Sequence, residues 1–271
     1  MIRLMQSIKL RLHGTKLRGV LKRTGILDFG RGIYNRRIIA SGHHEAKILG
    51  QELRFAVTSP DEILEIDGLF GEHEFLQRIL DTVRENDVFH DIGANIGLVS
   101  LLVARKHAGR ALRAHAFEPE PRNADRVRAN IRANGLESQV FVEACGVGSS
   151  SGTLKLFLAG YIGDHSMLDQ NRKGEYVEVP VVTLDEFCKT HPAPQSMKID
   201  VEGFELEVMK GAKGVLSSGA VRDVFVEVHE VYLARANLTP EHVHGFMRDC
   251  GFKIAWSRPR GGETHVHYTR G

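Results

Sequence analysis

A regular alternation of strand-like and helix-like segments, beginning at Asp87, constrains the fold of this 271-residue chain more than any other feature. Short apolar runs typical of buried strands alternate with longer segments of helical periodicity. Because parallel strands need long crossover connections, usually helices, this order predicts an α/β fold with a mostly parallel sheet. The first predicted elements are a strand at 88–92, a helix at 96–107, a strand at 112–117, a helix at 121–133 and a strand at 139–144.

The alternation resumes near residue 196 and ends in two strands separated by Arg258-Pro259-Arg260-Gly261-Gly262, which predicts a hairpin with one antiparallel strand. We therefore expect a Rossmann-like, mostly parallel seven-stranded sheet with a C-terminal antiparallel hairpin and helices on both faces. Two further strands are predicted at 154–158 and 176–183, where Pro180 favours an edge strand or an insertion. The later predicted elements are strands at 196–200, 221–229, 252–257 and 263–269, and helices at 204–217 and 240–250.

The residues before Asp87 are predicted to form an N-terminal extension with a flap or lid, so the expected domains are 1–86 and 87–271. The segment 48–66 predicts two strands around Ser59-Pro60-Asp61, followed by a helix at 74–82. Residues 1–40 contain ten of the 36 Lys and Arg residues but one of the 34 acidic residues. Residues 1–27 are expected to form a solvated extension, or alternatively an amphipathic helix on an anionic membrane surface.

Cysteine usage and hydropathy bound the environment. Cys145, Cys188 and Cys250 are widely spaced and indicate neither a disulfide framework nor a metal knuckle. Charged residues interrupt the N-terminus before any apolar run of signal-peptide length, and no segment predicts a membrane span. The expectation is a cytoplasmic protein, with peripheral contact at the inner membrane surface as the alternative for residues 1–27. No sequence feature indicates an oligomeric state.

A glycine-rich turn follows the first parallel strand, where open α/β sheets bind nucleotide-like ligands. Gly93 and Gly97 bracket this turn, and Glu118 lies 21 residues beyond Gly97, in position to bind both hydroxyls of a ribose. NAD and S-adenosylmethionine both carry such a ribose. Asp91 favours S-adenosylmethionine, because a carboxylate would repel a pyrophosphate but attract an ammonium and a sulfonium. An ordinary turn with Asp91 as a helix cap is the alternative.

Three sequence blocks together resemble the FkbM family of methyltransferases over about residues 66–255. The resemblance implies a class I methyltransferase fold, S-adenosylmethionine as methyl donor with S-adenosylhomocysteine as product, and O-methylation of a sugar, glycolipid or natural product. It also implies cofactor contacts at Asp91, Gly93, Ala94, Asn95, Gly97, Glu118, Pro119 and Asp200, with the adenine near Glu143 and Ala144. The blocks are Asp91-Ile92-Gly93-Ala94-Asn95-Ile96-Gly97, Phe117-Glu118-Pro119-Glu120-Pro121-Arg122-Asn123, and Lys198-Ile199-Asp200-Val201-Glu202-Gly203-Phe204-Glu205 with Lys210-Gly211-Ala212.

The reacting groups are predicted at the ends of the fourth and fifth strands. Methyl transfer needs an acceptor oxygen held in line with the sulfonium methyl and a group that removes its proton. Asp200 and Glu227 are the first candidates for this role and His229 is the third, while Glu202 is equally consistent with a helix-capping role. An Asp and Glu set could also hold Mg²⁺, and the sequence leaves metal dependence open.

Two other functions remain as alternatives. The basic N-terminus could contact the phosphates of a nucleic acid, although few aromatic residues accompany its charges, so a nucleic-acid substrate is disfavoured. A non-catalytic binding protein on the same scaffold would require loss of cofactor residues, and the signature blocks are complete. Asp164, His165 and Ser166 are candidate acceptor contacts, while His265 and His267 share one strand face without a ligand set of metal-like spacing.

Overall fold

The computed structural model describes residues 35–158 and 176–270, apart from the side chain of Phe70. The expectations for residues 1–27, and for Asp164, His165 and Ser166, lie outside the described residues. Within the described ranges, no helix combines the length and the apolar character needed to cross a membrane. The described residues divide into two compact units, 35–46 with 54–71, and 47–53 with 72–158 and 176–270. The expected boundary between residues 86 and 87 stays a prediction.

The chain before residue 72 contains a helical stretch at 35–41 and a two-stranded sheet, followed by a helix and a single 3₁₀ turn. The elements are β1 (His43–Ile48), β2 (Gln51–Ala56), α1 (Pro60–Gly68) and the 3₁₀ turn Leu69–Gly71.

Helix α1 replaces the second strand that the sequence predicted within residues 48–66. Ser59 is its N-cap and accepts a hydrogen bond from the backbone N–H of Glu62, while Pro60 occupies the first helical turn and Asp61 follows it. Serine, proline and acidic residues in this order are favoured at helix N-termini, because they bind or lack the N–H groups left unpaired there. The prediction of a turn between two strands was therefore wrong.

The second unit is built on a seven-stranded sheet with the order β11-β12-β10-β9-β3-β4-β5. Strand β12 is antiparallel to both of its neighbours, and the other paired strands are parallel. This arrangement confirms the predicted mostly parallel sheet with a C-terminal antiparallel hairpin. The strands are β3 (Val88–Ile92), β4 (Arg113–Phe117), β5 (Val140–Glu143), β9 (Ser196–Ile199), β10 (Asp223–His229), β11 (Phe252–Arg260) and β12 (Glu263–Arg270).

The helices of this unit lie largely where the alternation predicts them. The predicted helix at 204–217 is divided at Ala212. Gly211, the last residue before the division, packs closely on the backbone, since a Cβ there would lie 1.8 Å from the carbonyl oxygen of Gly148. The helices are α2 (His73–Thr82), α3 (Leu98–Lys106), α4 (Pro121–Asn134), α5 (Leu184–Phe187), α6 (Glu205–Gly211), α7 (Lys213–Ser217), α8 (Glu230–Arg235) and α9 (Pro240–Asp249).

A separate three-stranded sheet follows β5, in the order β6-β8-β7, with bounds Gly146–Val147, Gly152–Phe157 and Tyr176–Val182 for β6, β7 and β8. Pro180 therefore lies in the central strand of an inserted sheet. The expectation of an edge strand was wrong, whereas that of an insertion was correct. Strand β8 tolerates the proline because its pairing with β6 is limited to Val181 and Val182.

Strand β10 passes through the centre of the core, and all seven of its residues are buried. An interior strand covered on both faces is expected to be apolar throughout. Glu227 and His229 break that pattern at its carboxyl end. Because burying polar and charged groups is costly unless they are paired, these two residues direct attention to that end of the sheet.

Candidate active site

The glycine-rich turn after β3 is held between the two neighbouring strands. The N–H groups of Gly93 and Ala94 donate to the carbonyl oxygen of Phe117 at the end of β4, both at 3.0 Å. Gly93 has φ +79°, and a Cβ there would lie 1.8 Å from the carbonyl oxygen of Asp200, beyond β9. Glycine is therefore required at position 93 because the backbone of Asp200 packs against it. These contacts hold the ends of β3, β4 and β9 together.

Asp91 is fully buried below this turn and does not border the cleft described below. Its Oδ2 accepts hydrogen bonds from the backbone N–H and the hydroxyl of Ser100, at 3.0 and 2.7 Å. Ser100 lies in the first turn of α3, so Asp91 satisfies a helix N–H that the cap residue Gly97 leaves open. Its other oxygen, Oδ1, lies 3.6 Å from Nζ of Lys198.

Lys198 joins the turn to the end of β9. Its buried ammonium donates to the carbonyl oxygen of Gly93 at 2.9 Å and forms an ion pair with Oδ2 of Asp200 at 3.0 Å. Burial alone would lower the pKa of Lys198, but Asp200 and Asp91 raise it well above its usual range. The lysine therefore stays charged, and its single positive charge partly offsets the charges of both carboxylates.

Glu118 follows β4 and has 5% of its surface exposed. Its two oxygens accept hydrogen bonds from the backbone N–H groups of Asn95, at 2.7 Å, and Glu120, at 2.9 Å. Burial raises the pKa of Glu118 to about 7, although these two bonds oppose the shift. The carboxylate is thus held rigidly against the glycine-rich turn with oxygen lone pairs still available.

Gly93, Asn95, Glu118 and Asp200 border a cleft that is open to solvent at the carboxyl ends of β3, β4 and β9. Two of its lining residues other than glycine, Asn95 and Glu202, have a positive φ, at 52° and 51°. Such strained backbone is concentrated at binding and catalytic sites. The cleft is lined by Ile92, Gly93, Asn95, Phe117, Glu118, Pro119, Asn123, Cys145, Gly146, Val147, Leu156, Asp200, Val201, Glu202 and Phe204.

A cluster of carboxylate and imidazole groups extends from Asp200 onto β10. Ligand atoms of Asp200, Glu227 and His229 all lie within 4.8 Å of one another. Nδ1 of His229 donates to Oε1 of Glu205 at 2.7 Å, which turns Nε2 towards Asp200 at 3.8 Å and Glu202 at 3.4 Å. Asp200 belongs to this cluster and to the cleft, so it connects the two.

The cluster continues onto β12 through the strand register. Glu227 lies opposite His265, and His229 lies opposite Glu263. Nη1 of Arg260 binds Oε1 of Glu263 at 2.5 Å and lies 3.3 Å from Oε1 of Glu227. Sequence spacing gave His265 no ligand set; in the structure its ionisable neighbours are Glu227 on the adjacent strand and Glu263 on its own strand.

Comparison with known proteins identifies the family of this chain. Residues 91–254, more than half of the chain, match the methyltransferase FkbM domain family. The chain belongs to the FkbM methyltransferase family. The hexuronic acid methyltransferase AglP of Haloferax volcanii is 34% identical over 187 residues, which cover 68% of this chain and 73% of AglP. The 31-O-demethyl-FK506 methyltransferase FkbM of Streptomyces tacrolimicus is 28% identical over 240 residues, covering 73% of this chain and 88% of that protein.

The crystal structure of methyltransferase FkbM from Methylobacillus flagellatus KT has the same fold, with a TM-score of 0.52 and 16% identity. The match covers 89% of this chain and 60% of that structure, so the chain spans less than two thirds of its length. The Rossmann-like α/β class expected from the sequence is confirmed.

Within this FkbM domain, the predicted cofactor residues fall into two groups. Gly93, Asn95, Glu118, Pro119 and Asp200 line the cleft, and their contact with a cofactor stays a prediction. The others lie outside the lining: Asp91, Ala94 and Gly97 support the turn, Ala144 is exposed, and Glu143 binds Nδ1 of His115 at 2.9 Å.

The sequence analysis missed two lining segments, Cys145 to Val147 and Val201 to Phe204. The first segment follows β5 directly, so the predicted contact at Glu143 and Ala144 lay within about two residues of it. Glu202 had been weighed as a capping residue, and its left-handed backbone could not be predicted from a residue type that normally avoids this conformation.

The carboxylates of the FkbM site differ in protonation. Burial alone would raise the pKa of Asp200, but Lys198 and His229 lower it, so this group is ionised. Burial raises the pKa of Glu227, and the charge on Asp200 raises it further. Burial and Glu227 raise the pKa of Glu72, which lies 3.6 Å from Arg260, to about 8.

The histidine of the cluster is cationic at neutral pH. Burial alone would favour the neutral imidazole of His229, but the hydrogen bond with Glu205 and the neighbouring acids raise its pKa to about 10. The site therefore combines a fixed carboxylate, protonatable acids and an imidazolium within a few ångströms.

Proposed function

We propose that this chain is an S-adenosylmethionine-dependent O-methyltransferase that transfers a methyl group to a hydroxyl of a carbohydrate, glycolipid or natural product. The observation that supports it most is the position of Asp200, which lines the cleft and also belongs to the cluster with Glu227 and His229. A cofactor site and a set of proton-binding groups thus share one residue.

The cleft suits S-adenosylmethionine better than a dinucleotide. Glu118 offers a rigid carboxylate for the ribose hydroxyls, and the lining of the cleft includes two more acids, Asp200 and Glu202. Carboxylates repel the pyrophosphate of NAD but attract the ammonium and sulfonium of S-adenosylmethionine. Asp91 does not contribute to this selectivity from within the cleft, because it is buried below the turn and contacts Ser100 and Lys198.

In the proposed reaction, the sulfonium supplies the methyl group as a new carbon–oxygen bond forms and the carbon–sulfur bond breaks. The sulfur keeps the electron pair and leaves as S-adenosylhomocysteine. The proton of the acceptor hydroxyl passes to a carboxylate of the cluster, Asp200 or Glu227, because His229 is already protonated. Glu205 and Lys198 position this cluster by holding His229 and Asp200 in place.

The names of two relatives support the substrate class. AglP is a hexuronic acid methyltransferase, and FkbM of Streptomyces tacrolimicus is a methyltransferase of 31-O-demethyl-FK506. Both names denote acceptors that are oxygen-rich small molecules or sugars. Carboxylates outnumber permanent cations around the cluster of this chain, which favours a hydroxyl as the methylated group even on an acceptor that also carries a carboxylate, as a hexuronic acid does.

Calorimetric titration with S-adenosylhomocysteine and, separately, with NAD tests the cofactor. We expect S-adenosylhomocysteine to bind and NAD not to bind. We then expect methyl transfer from S-adenosylmethionine to members of a panel of neutral glycosides, detected by mass spectrometry. Binding of NAD alone contradicts the proposal. Binding of neither favours a non-catalytic scaffold, and methylation of nucleic acid in the same assay would replace the proposed acceptor.

A further inference from the structure

We propose that a divalent metal ion binds at the carboxyl ends of β9 and β10, with Asp200, Glu227 and His229 as its protein ligands. One ligand atom from each of these side chains lies within 4.8 Å of the other two, which is the separation expected for atoms around a single ion. Asp200 and Glu227 would supply oxygen atoms, and Nε2 of His229 would supply nitrogen once the ion has displaced its proton.

The hydrogen bond between Glu205 and His229 is independent support. Glu205 is completely buried, and its carboxylate fixes Nδ1 of His229 as a donor at 2.7 Å, so Nε2 is left to face Asp200 and Glu202. Metal-binding histidines almost always donate their second ring N–H to a carboxylate, carbonyl or water, which sets the ring orientation and raises the basicity of the ligating nitrogen.

The neighbouring His265 adds a second observation. It has 2% of its surface exposed, and its Nε2 has no hydrogen-bond partner among the described residues, although it lies 3.3 Å from Oε1 of Glu227. A buried imidazole nitrogen left without a hydrogen bond is costly. Its position beside Glu227 is explained if this nitrogen contacts a metal ion or a water molecule bound to that ion.

Arg260 decides which of two overlapping triads holds the ion. Glu227, Glu263 and His265 also place their ligand atoms within 4.8 Å of one another. The guanidinium of Arg260 contacts both carboxylates of the second triad, Glu263 at 2.5 Å and Glu227 at 3.3 Å, whereas Lys198 contacts one carboxylate that belongs to the first triad alone, Asp200 at 3.0 Å. We therefore assign the ion to the first triad, on the side of Glu227 that adjoins the cleft.

The ligand set defines the class of ion and its use. Two carboxylates and one imidazole suit borderline divalent ions such as Mn²⁺ and Zn²⁺, and three protein ligands leave positions for water or substrate. Resting on the proposed function, such an ion would bind the acceptor hydroxyl and polarise it as a Lewis acid, so that the proton leaves more readily.

The test is titration of chelator-treated protein with Mn²⁺, following the electron paramagnetic resonance signal of the free ion. The wild-type protein is expected to bind one equivalent, and Glu227→Gln and His229→Gln are each expected to weaken binding at least tenfold. Glu230→Gln is the matched control, because it removes an exposed charge at the same strand end. Thermal unfolding confirms that each variant is folded.

Pulsed resonance spectra of the bound Mn²⁺ identify the nitrogen ligand. We expect a nitrogen coupling in the wild-type protein and in His265→Gln, and its loss in His229→Gln. Absence of binding at millimolar Mn²⁺, undiminished binding in both ligand variants, or a coupling that survives in His229→Gln overturns the proposal. Binding of S-adenosylhomocysteine without metal is measured in parallel, so failure of the metal site is distinguished from failure of the proposed function.

Discussion

Replacement of Glu118 by glutamine should weaken nucleoside binding and remove its dependence on pH. In the structure this carboxylate is buried, accepts hydrogen bonds from Asn95 and Glu120, and has its pKa raised to about 7, chiefly by burial. If the ionised form binds the two ribose hydroxyls, the affinity must follow the ionised fraction of Glu118.

The magnitude follows from that pKa. Hydrogen bonds to a charged group contribute about 1.5 to 3 kcal/mol, so Glu118→Gln should lower the affinity at pH 8 by roughly 10- to 150-fold. One pH unit below the pKa, ionising the carboxyl costs about 1.4 kcal/mol. The wild-type affinity should therefore be about tenfold lower at pH 6 than at pH 8.

The suitable probe is 5′-methylthioadenosine, which has the ribose but no amino-acid group that could titrate. Calorimetry at pH 6, 7 and 8 should show the increase for the wild-type protein and a flat, weak profile for Glu118→Gln. Glu137→Gln, which changes an exposed glutamate, should match the wild-type protein. A flat wild-type profile, or an equal slope in Glu118→Gln, would refute the assignment of this carboxylate to the ribose.

The same substitution should change the pH dependence of stability. The pKa of Glu118 is raised from 4.5 when unfolded to about 7 when folded, so the folded protein binds more protons between these values. The contribution of Glu118 to the free energy of unfolding is fully present below pH 4.5 and is lost as the pH rises through about 7. Denaturant unfolding at pH 5 and pH 8 should show a smaller loss of stability for Glu118→Gln than for the wild-type protein.

Two further substitutions test how the strand ends are held together. Gly93→Ala should lower the free energy of unfolding by more than about 3 kcal/mol, because its Cβ would lie 1.8 Å from the carbonyl oxygen of Asp200. Its control, Gly109→Ala, has φ +77° but open space around the Cβ, and should lower the free energy of unfolding by about 1 to 2 kcal/mol. Lys198→Met should cost roughly 3 to 5 kcal/mol in denaturant unfolding, because it leaves buried carboxylates unpaired, and exposed Lys189→Met should cost less than about 0.5 kcal/mol. Equal effects within either pair would contradict the corresponding argument.

Much of the fold could be predicted from local pattern. The strands of the parallel sheet are short apolar runs, and helix α4 is bounded by Pro121 at its start and Gly135 at its C-cap. These signals depend on neighbouring residues alone. Ser59-Pro60 shows where local reading fails, since the same residues favour turns and helix starts, and the sequence pattern did not decide between the two.

The cofactor side of the site was more predictable than the reacting side. Gly93 and Glu118 occur at fixed positions relative to their own strands, so the topology brings them together. The contact of Glu227 with His265 depends on the register of β10 against β12, two antiparallel strands separated by α8, α9 and β11. A shift of one residue would turn these side chains to the opposite face, and the sequence pattern did not fix that register.

The two ends of β10 separate stability from function. At the amino end, Asp223 is buried but pairs with Nε2 of His267 at 2.9 Å and lies near Arg222, so its charge is satisfied within the fold. At the carboxyl end, burial and then the charge on Asp200 raise the pKa of Glu227, so they oppose its charge more than its cationic neighbours offset it. Folding alone does not favour such a group between the buried Val226 and Val228. Since ligands of parallel sheets bind at the carboxyl ends of the strands, this imbalance is best explained by a cation, a transferred proton or both arriving from the cleft.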